Sequence, residues 1–195
     1  MDRRQFIALT GAGALAFAAG PVAAQAAQAE QLVTAAVNDI TRSINSGKSA
    51  AALYNDFETI FERYGDVGYS AQGVMGRPWR EMSNQQRRAF ADALKVYLSR
   101  KYGRRFREFQ GAEINVMNTR EIRRGTEVVT SVKLRGSAPF EVLFRVRDVN
   151  GQPRFYDLVI EGISLVVTER AEIGAKLDAR RGDVDALIAD LRAAA

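Results

Sequence analysis

The sequence predicts an α+β fold, a single domain in which a helical layer covers a twisted antiparallel meander of about four strands. Three observations predict it. Apolar positions recur at helical spacing from residue 30 to about 109, the period changes to two between 113 and 165, and helical spacing returns from 168 onward. Helices, then a meander, then helices describe an α+β domain rather than a βαβ array.

Each element has its own signals. Leu32, Val33, Ala36, Val37, Ile40 and Ile44 form one face of a helix over residues 30–44, which Asn45-Ser46-Gly47 ends. A second helix starts near Ser49, carries Leu53, Phe57, Ile60, Phe61 and Tyr64 on one side, and stops at Gly65. Residues 69–75 fit a short helix, and Pro78 suits the first turn of the next. Ser83 with Gln86 three residues on makes a capping box for a long helix whose apolar side is Phe90, Leu94, Tyr97, Leu98 and Tyr102, and Gly103 ends or kinks it.

Strands are expected over 113–117, 128–134, 140–147 and 155–165, with turns at Gly125, at Gly136 and at Asp148-Val149-Asn150-Gly151. Thr168 is placed to cap a helix over 169–177, and Asp183 to cap a final one with Val184, Leu187, Ile188 and Leu191 inward.

Ahead of this domain, Arg3-Arg4-Gln5-Phe6-Ile7 leads into an apolar run from Ala8 to Ala19 and then Ala24-Gln25-Ala26. A basic start, a short apolar core and a small-x-small site read as a secretory signal peptide over residues 1–26, and the paired arginines point to the twin-arginine route. The run falls short of the ~20 apolar residues of a membrane span. The working protein, residues 27–195, is therefore expected outside the bacterial cytoplasm.

The chain of 195 residues carries a formal net charge of +5, and two arginines and one aspartate leave with the leader, so the mature part stays basic. It has no cysteine and no histidine. That excludes disulfides, thiolate and Ser-His-Asp catalysis, and imidazole or thiolate metal sites. No metal or cofactor is expected, and no catalytic residue.

The remaining constellations are weak. Ser46-Gly47-Lys48-Ser49 looks like the tail of a phosphate loop, but Arg42 stands where its first glycine belongs. Asp157 and Glu161 would share a strand face about 13 Å apart, too wide for an acid/base pair. Cross-strand pairing with Arg145 or Arg147 suits them better. The stretch 77–107 holds ten Lys or Arg, including Arg104, Arg105 and Arg107, against Glu81 and Asp92. Export turns that charge away from nucleic acid and toward phospholipid head groups, surface polysaccharide or acidic partner proteins.

Several blocks resemble the MlaC family: Gly76-Arg77-Pro78-Trp79-Arg80, Gln85-Gln86-Arg87-Arg88-Ala89-Phe90, Tyr97-Leu98, Arg170, and above all Phe155-Tyr156-Asp157-Leu158-Val159-Ile160-Glu161-Gly162-Ile163-Ser164-Leu165. The resemblance covers nearly the whole mature chain. It implies a monomeric periplasmic carrier that holds phospholipid acyl chains in an apolar pocket between sheet and helices. The implied partners are an outer-membrane lipoprotein complex and an inner-membrane ABC transporter complex with its MCE-domain subunit, between which lipid is shuttled to maintain outer-membrane asymmetry. Phospholipid is the cargo, and neither catalysis nor nucleic-acid binding is implied.

Such a pocket would be lined from the sheet by Val128, Val132, Phe140, Val142, Phe144, Leu158 and Ile160. From the helices it would take Phe57, Phe61, Tyr64, Trp79, Phe90, Leu94 and Leu98, while Arg104, Arg105 and Arg107 would meet head groups or a partner. The competing expectation is an exported interaction domain with a solid core, docking a membrane complex through its basic helix.

Overall fold

The computed structural model describes residues 21–194, without the side chains of residues 21, 22, 106 and 107. The leader signals from Arg3 to Ala19 lie outside the described residues. The first helix, α1 (Pro21–Ile44), begins earlier than its apolar stripe suggests, and the expected cleavage point after Ala26 falls inside it. After it come α2 (Ala50–Tyr64), α3 (Val67–Met75), a 3₁₀ turn at Arg77–Arg80 and α4 (Asn84–Gly103). The capping box of α4 is present: the Ser83 hydroxyl accepts from the Gln86 N–H, and the Gln86 side chain accepts from the Ser83 N–H.

Five strands follow in a plain meander, β1 (Glu113–Ile122), β2 (Gly125–Lys133), β3 (Phe140–Val149), β4 (Gln152–Ile160) and the two-residue β5 (Ile163–Ser164). Neighbours are antiparallel throughout, so the expected α+β fold stands. The last expected strand, 155–165, divides in two. Glu161 and Gly162 both take positive φ, 49° and 82°, which reverses the chain. Ser164 then caps α5 (Leu165–Ala179), with its hydroxyl accepting from the Val167 N–H, so the cap is four residues ahead of Thr168. Asp183 caps α6 (Val184–Ala193) as expected.

One irregularity decides which side chains face inward. Arg145 pairs with Asp157 and Val146 with Phe155, which leaves Tyr156 as an extra residue in β4. This bulge breaks the alternation. Phe155 joins Leu158 on the inner face with Phe144 and Val146, while Asp157 and Val159 turn to the opposite face.

The cover of that inner face is α1, through Ala29, Val33 and Val37 packed on Val128, Val132, Val142, Phe144 and Val146. Sequence pattern pointed instead to the aromatic helix α2 and to α4. Ala29, Val33 and Ala36, at 0–1% exposure, are small enough to let α1 lie close against the strands. α2 sits beside α1, fastened by Ser43 donating to Asp56 at 2.6 Å and by the Tyr64 hydroxyl donating to Asp39 at 2.7 Å. Its side-chain hydrogen bonds, from Tyr64 first and also from Arg42, hold Asp39 below the usual carboxylate range.

A second core lies away from the sheet, where α3, α4, α5 and α6 form a bundle around Phe90, Leu94, Ile173, Leu187 and Leu191. The open edge of β4 is satisfied by the start of α3 rather than by a full strand. The Asp66 N–H donates to the Phe155 carbonyl at 2.7 Å, and the Ser70 hydroxyl lies 2.8 Å from the Tyr156 carbonyl oxygen.

Candidate functional site

Between this edge and the helices lies a seam. Its walls are Phe61 and Gly65 at the end of α2, Val67 and Val74 from α3, Leu94 and Leu98 from α4, Phe155 and Leu158 from β4, and Leu165 and Val166 from α5. Gly65 is required there, since a Cβ would stand 2.7 Å from the Phe61 carbonyl and 3.3 Å from the Phe155 ring. The seam is narrow, with a cavity volume of about 50 Å³.

Most of the polar groups around it are already engaged. Asp157 accepts from the Ser164 hydroxyl at 2.7 Å, the Val166 N–H at 3.0 Å and Arg145 at 3.2 Å. Lys95 pairs with Glu62 across α4 and α2. Glu169 is fully buried; its Oε1 accepts from Lys101 at 2.7 Å and from the Tyr102 hydroxyl, while its Oε2 has no partner.

Lys101 also reaches Glu172, which takes the Tyr97 hydroxyl as well, so α4 and α5 are clamped by five side chains. Burial, and then the hydrogen bond to Glu172, pushes Tyr97 up to about 12. The same two causes, with Glu169 as acceptor, raise Tyr102. Lys101 and Tyr97 together hold Glu172 below its ordinary value.

A seam walled mostly by hydrocarbon, with Asp157 and Lys95 held by partners and only Glu169 Oε2 left without one, gives apolar chains non-directional contact. The MlaC family model matches residues 30–193 of the sequence. The chain belongs to the MlaC family. A solved structure, that of a phospholipid-binding protein from Ralstonia solanacearum in complex with a phospholipid, superposes with a TM-score of 0.73 at 22% identity. The match covers 86% of this chain and 96% of that one, a likeness of fold.

Within this MlaC domain the expected lining residues separate into groups. Phe61, Leu94, Leu98 and Leu158 meet at the seam. Val128, Val132, Val142 and Phe144, with half-buried Phe140 and Tyr64 beside them, pack under α1 and do not line the seam, although Phe144 meets its wall Phe155 edge-to-face with centroids 6.0 Å apart. Phe57 lies with Ile44 and Ile60 between α1 and α2. Phe90 and Trp79 are edge-to-face in the bundle, centroids 6.4 Å apart.

Ile160 is 37% exposed beside the turn at Glu161. Arg104 and Arg105 are exposed just past α4, and the Arg107 side chain is outside the described ones. Of the two carboxylates, Asp157 pairs with Arg145 as expected, whereas Glu161 leaves the strand for the turn.

Sequence reasoning missed Phe155, Val67, Val74, Leu165 and Val166. Phe155 has the same parity as Asp157, so only the bulge reveals its direction. Leu165 reads as the end of the expected strand 155–165, with Val166 just beyond it, until the turn at Glu161-Gly162 is seen, and the left-handed preference of Gly162 was the available signal.

Proposed function

We propose that this MlaC protein is a periplasmic phospholipid carrier, exported by the leader over residues 1–26, that holds acyl chains in the seam between β4 and helices α2 to α5. It shuttles lipid between an outer-membrane lipoprotein complex and an inner-membrane ABC transporter complex with its MCE-domain subunit, and so maintains outer-membrane lipid asymmetry. Phospholipid is cargo, and no cofactor, metal or catalytic residue takes part. The observation that carries the reading is the seam itself: apolar walls drawn from five elements meet along a strand edge that no full strand covers.

The energetics fit. About 50 Å³ is too little for an acyl chain, so the helices must draw away from β4. Burying about ten methylenes releases about 8 kcal/mol, the same order as the whole stability of a domain of this size.

The small free volume favours a second reading, an interaction domain with a solid core that docks a membrane complex through its basic residues. Native mass spectrometry of protein isolated gently from its own cells separates the two. The carrier reading expects a species heavier by one or more phospholipids, and a chain that is always bare supports the solid core. Export is tested separately by Arg3→Lys with Arg4→Lys, which stops transport if the twin-arginine route is used.

A further inference from the structure

The seam opens onto a groove of a different character. Tyr156, Asp157 and Val166 line both, and from them a groove of about 980 Å³ runs past Arg77, Arg80, Arg123, Arg124, Arg145 and Arg170. These arginines come from three separate stretches: the 3₁₀ turn, the sheet with its β1–β2 hairpin, and α5. Asp157 is the one carboxylate in the lining, and it is taken up by Arg145, Ser164 and the Val166 N–H.

Arg77, Arg80, Arg123 and Arg170 form no ion pair among the described residues. Arg170 is oriented without being neutralised, since its Nε donates to the Gly73 carbonyl at 2.7 Å. Like charges brought together this way repel one another and disfavour the folded state, and a bound anion relieves that repulsion.

We infer that this groove is the head-group site of the carrier and that it selects anionic phospholipids over zwitterionic ones. The inference rests on the reading of the seam as the acyl-chain site. A ligand that reaches both places carries an anion joined to hydrocarbon, which is the chemistry of a phospholipid. Guanidinium groups suit the phosphodiester, because their planar fork of donors matches two of its oxygens. A zwitterionic head brings its own ammonium close to the unneutralised arginines, whereas an anionic head adds no cation. The site lies apart from Arg104 and Arg105, which line neither the groove nor the seam.

The test loads the full chain from vesicles of phosphatidylglycerol and phosphatidylethanolamine, equimolar and with matched acyl chains, in low salt. Bound lipid is then extracted and counted by mass spectrometry. The wild type is expected to hold the anionic lipid in about fivefold excess, the size three or four exposed charge contacts supply together. Arg77→Gln, Arg80→Gln and Arg123→Gln combined should bring the ratio close to one and also lower the total lipid held, because the phosphodiester that both lipids share loses donors; these side chains are exposed and form no ion pair among the described residues, so the fold is kept. Arg104→Gln with Arg105→Gln should leave the excess intact.

An excess equal in the wild type and the triple variant overturns the inference while leaving the carrier reading standing. Loss of the excess in the Arg104 and Arg105 variant instead also overturns it. If inorganic phosphate raises the melting temperature of the wild type but not of the triple variant, and lipid ratios do not differ, the groove takes free phosphate and the inference falls. Failure of every form to load any lipid sinks the carrier reading, and the head-group site with it.

Discussion

The bundle around Phe90 and the seam beside β4 are built from the same kinds of residue and packed to different ends. In the bundle, Phe90, Leu94, Ile173, Leu187 and Leu191 are each at most 1% exposed, and these side chains from α4, α5 and α6 pack into one cluster. Along the seam, Phe61, Leu98, Leu158, Leu165 and Val166 are only half-buried, and the helices meet a strand edge as well as each other. Burial in the bundle is complete and stabilises the fold. Incomplete burial in the seam leaves apolar surface that a lipid chain can finish covering. The difference lies in packing rather than in composition, with Val74 and Leu94 belonging to both regions and Leu98 and Val166 packed against the bundle from the seam.

The largest effect is expected in the bundle. Phe90→Ala should remove about 4 kcal/mol of stability by opening a cavity among the helices, read as a lowered midpoint in urea unfolding. A small loss there would break the contrast. Glu169→Ala, at the boundary, should cost about 3 kcal/mol, because Lys101 and Tyr102 lose the acceptor on which they converge.

The α4–α5 clamp also gives the bundle side its pH dependence. Folded Tyr97 titrates at about 12 and unfolded tyrosine near 10, so this stability is whole below pH 10 and is lost as pH rises through 12. Glu172 acts at the other end: its folded value lies below 4.5, so its contribution is present above that pH and fades as pH falls through the folded value. Melting temperatures measured across both ranges should show two declines, with Tyr97→Phe flattening the alkaline one.

Leu98→Trp addresses the seam. It should cost only about 1 kcal/mol, since the site is half-buried and has room to adjust, yet it should empty the protein of lipid by filling the space a chain would enter. Unfolding by this change, or undiminished lipid, would erase the distinction between the two regions. Smallest of all, Arg104→Gln with Arg105→Gln should shift stability by less than about 0.5 kcal/mol in thermal melts, as exposed positions do.

The sequence carried the fold further than the site. The switch of period near residue 113 and the signals at Ser83, Asn150-Gly151 and Asp183 are local, and each is found where it was expected. The bulge at Tyr156 is not local, because it shows only when β4 is laid against β3. The apolar faces of α1, α2 and α4 look alike as patterns, and which of them meets the sheet depends on how closely small residues such as Ala29 and Ala36 let a helix approach. Phe57, Phe90 and Val132 therefore read as pocket walls from sequence and prove to lie between α1 and α2, in the bundle and under α1. Arg77, Arg80, Arg145 and Arg170 stand out in the sequence for other reasons, and Arg123 and Arg124 do not stand out at all; their common groove is not legible there because it is assembled from distant segments.

The measurement that bears most directly on the seam is photolabelling with a phospholipid that carries a diazirine at the end of one acyl chain, loaded into the protein, irradiated and mapped residue by residue. Adducts on Phe61, Leu98, Leu158 or Val166 are the expected result. Adducts confined to Leu187 and Leu191 in the bundle, or to Val132 and Val142 beneath α1, would contradict the account.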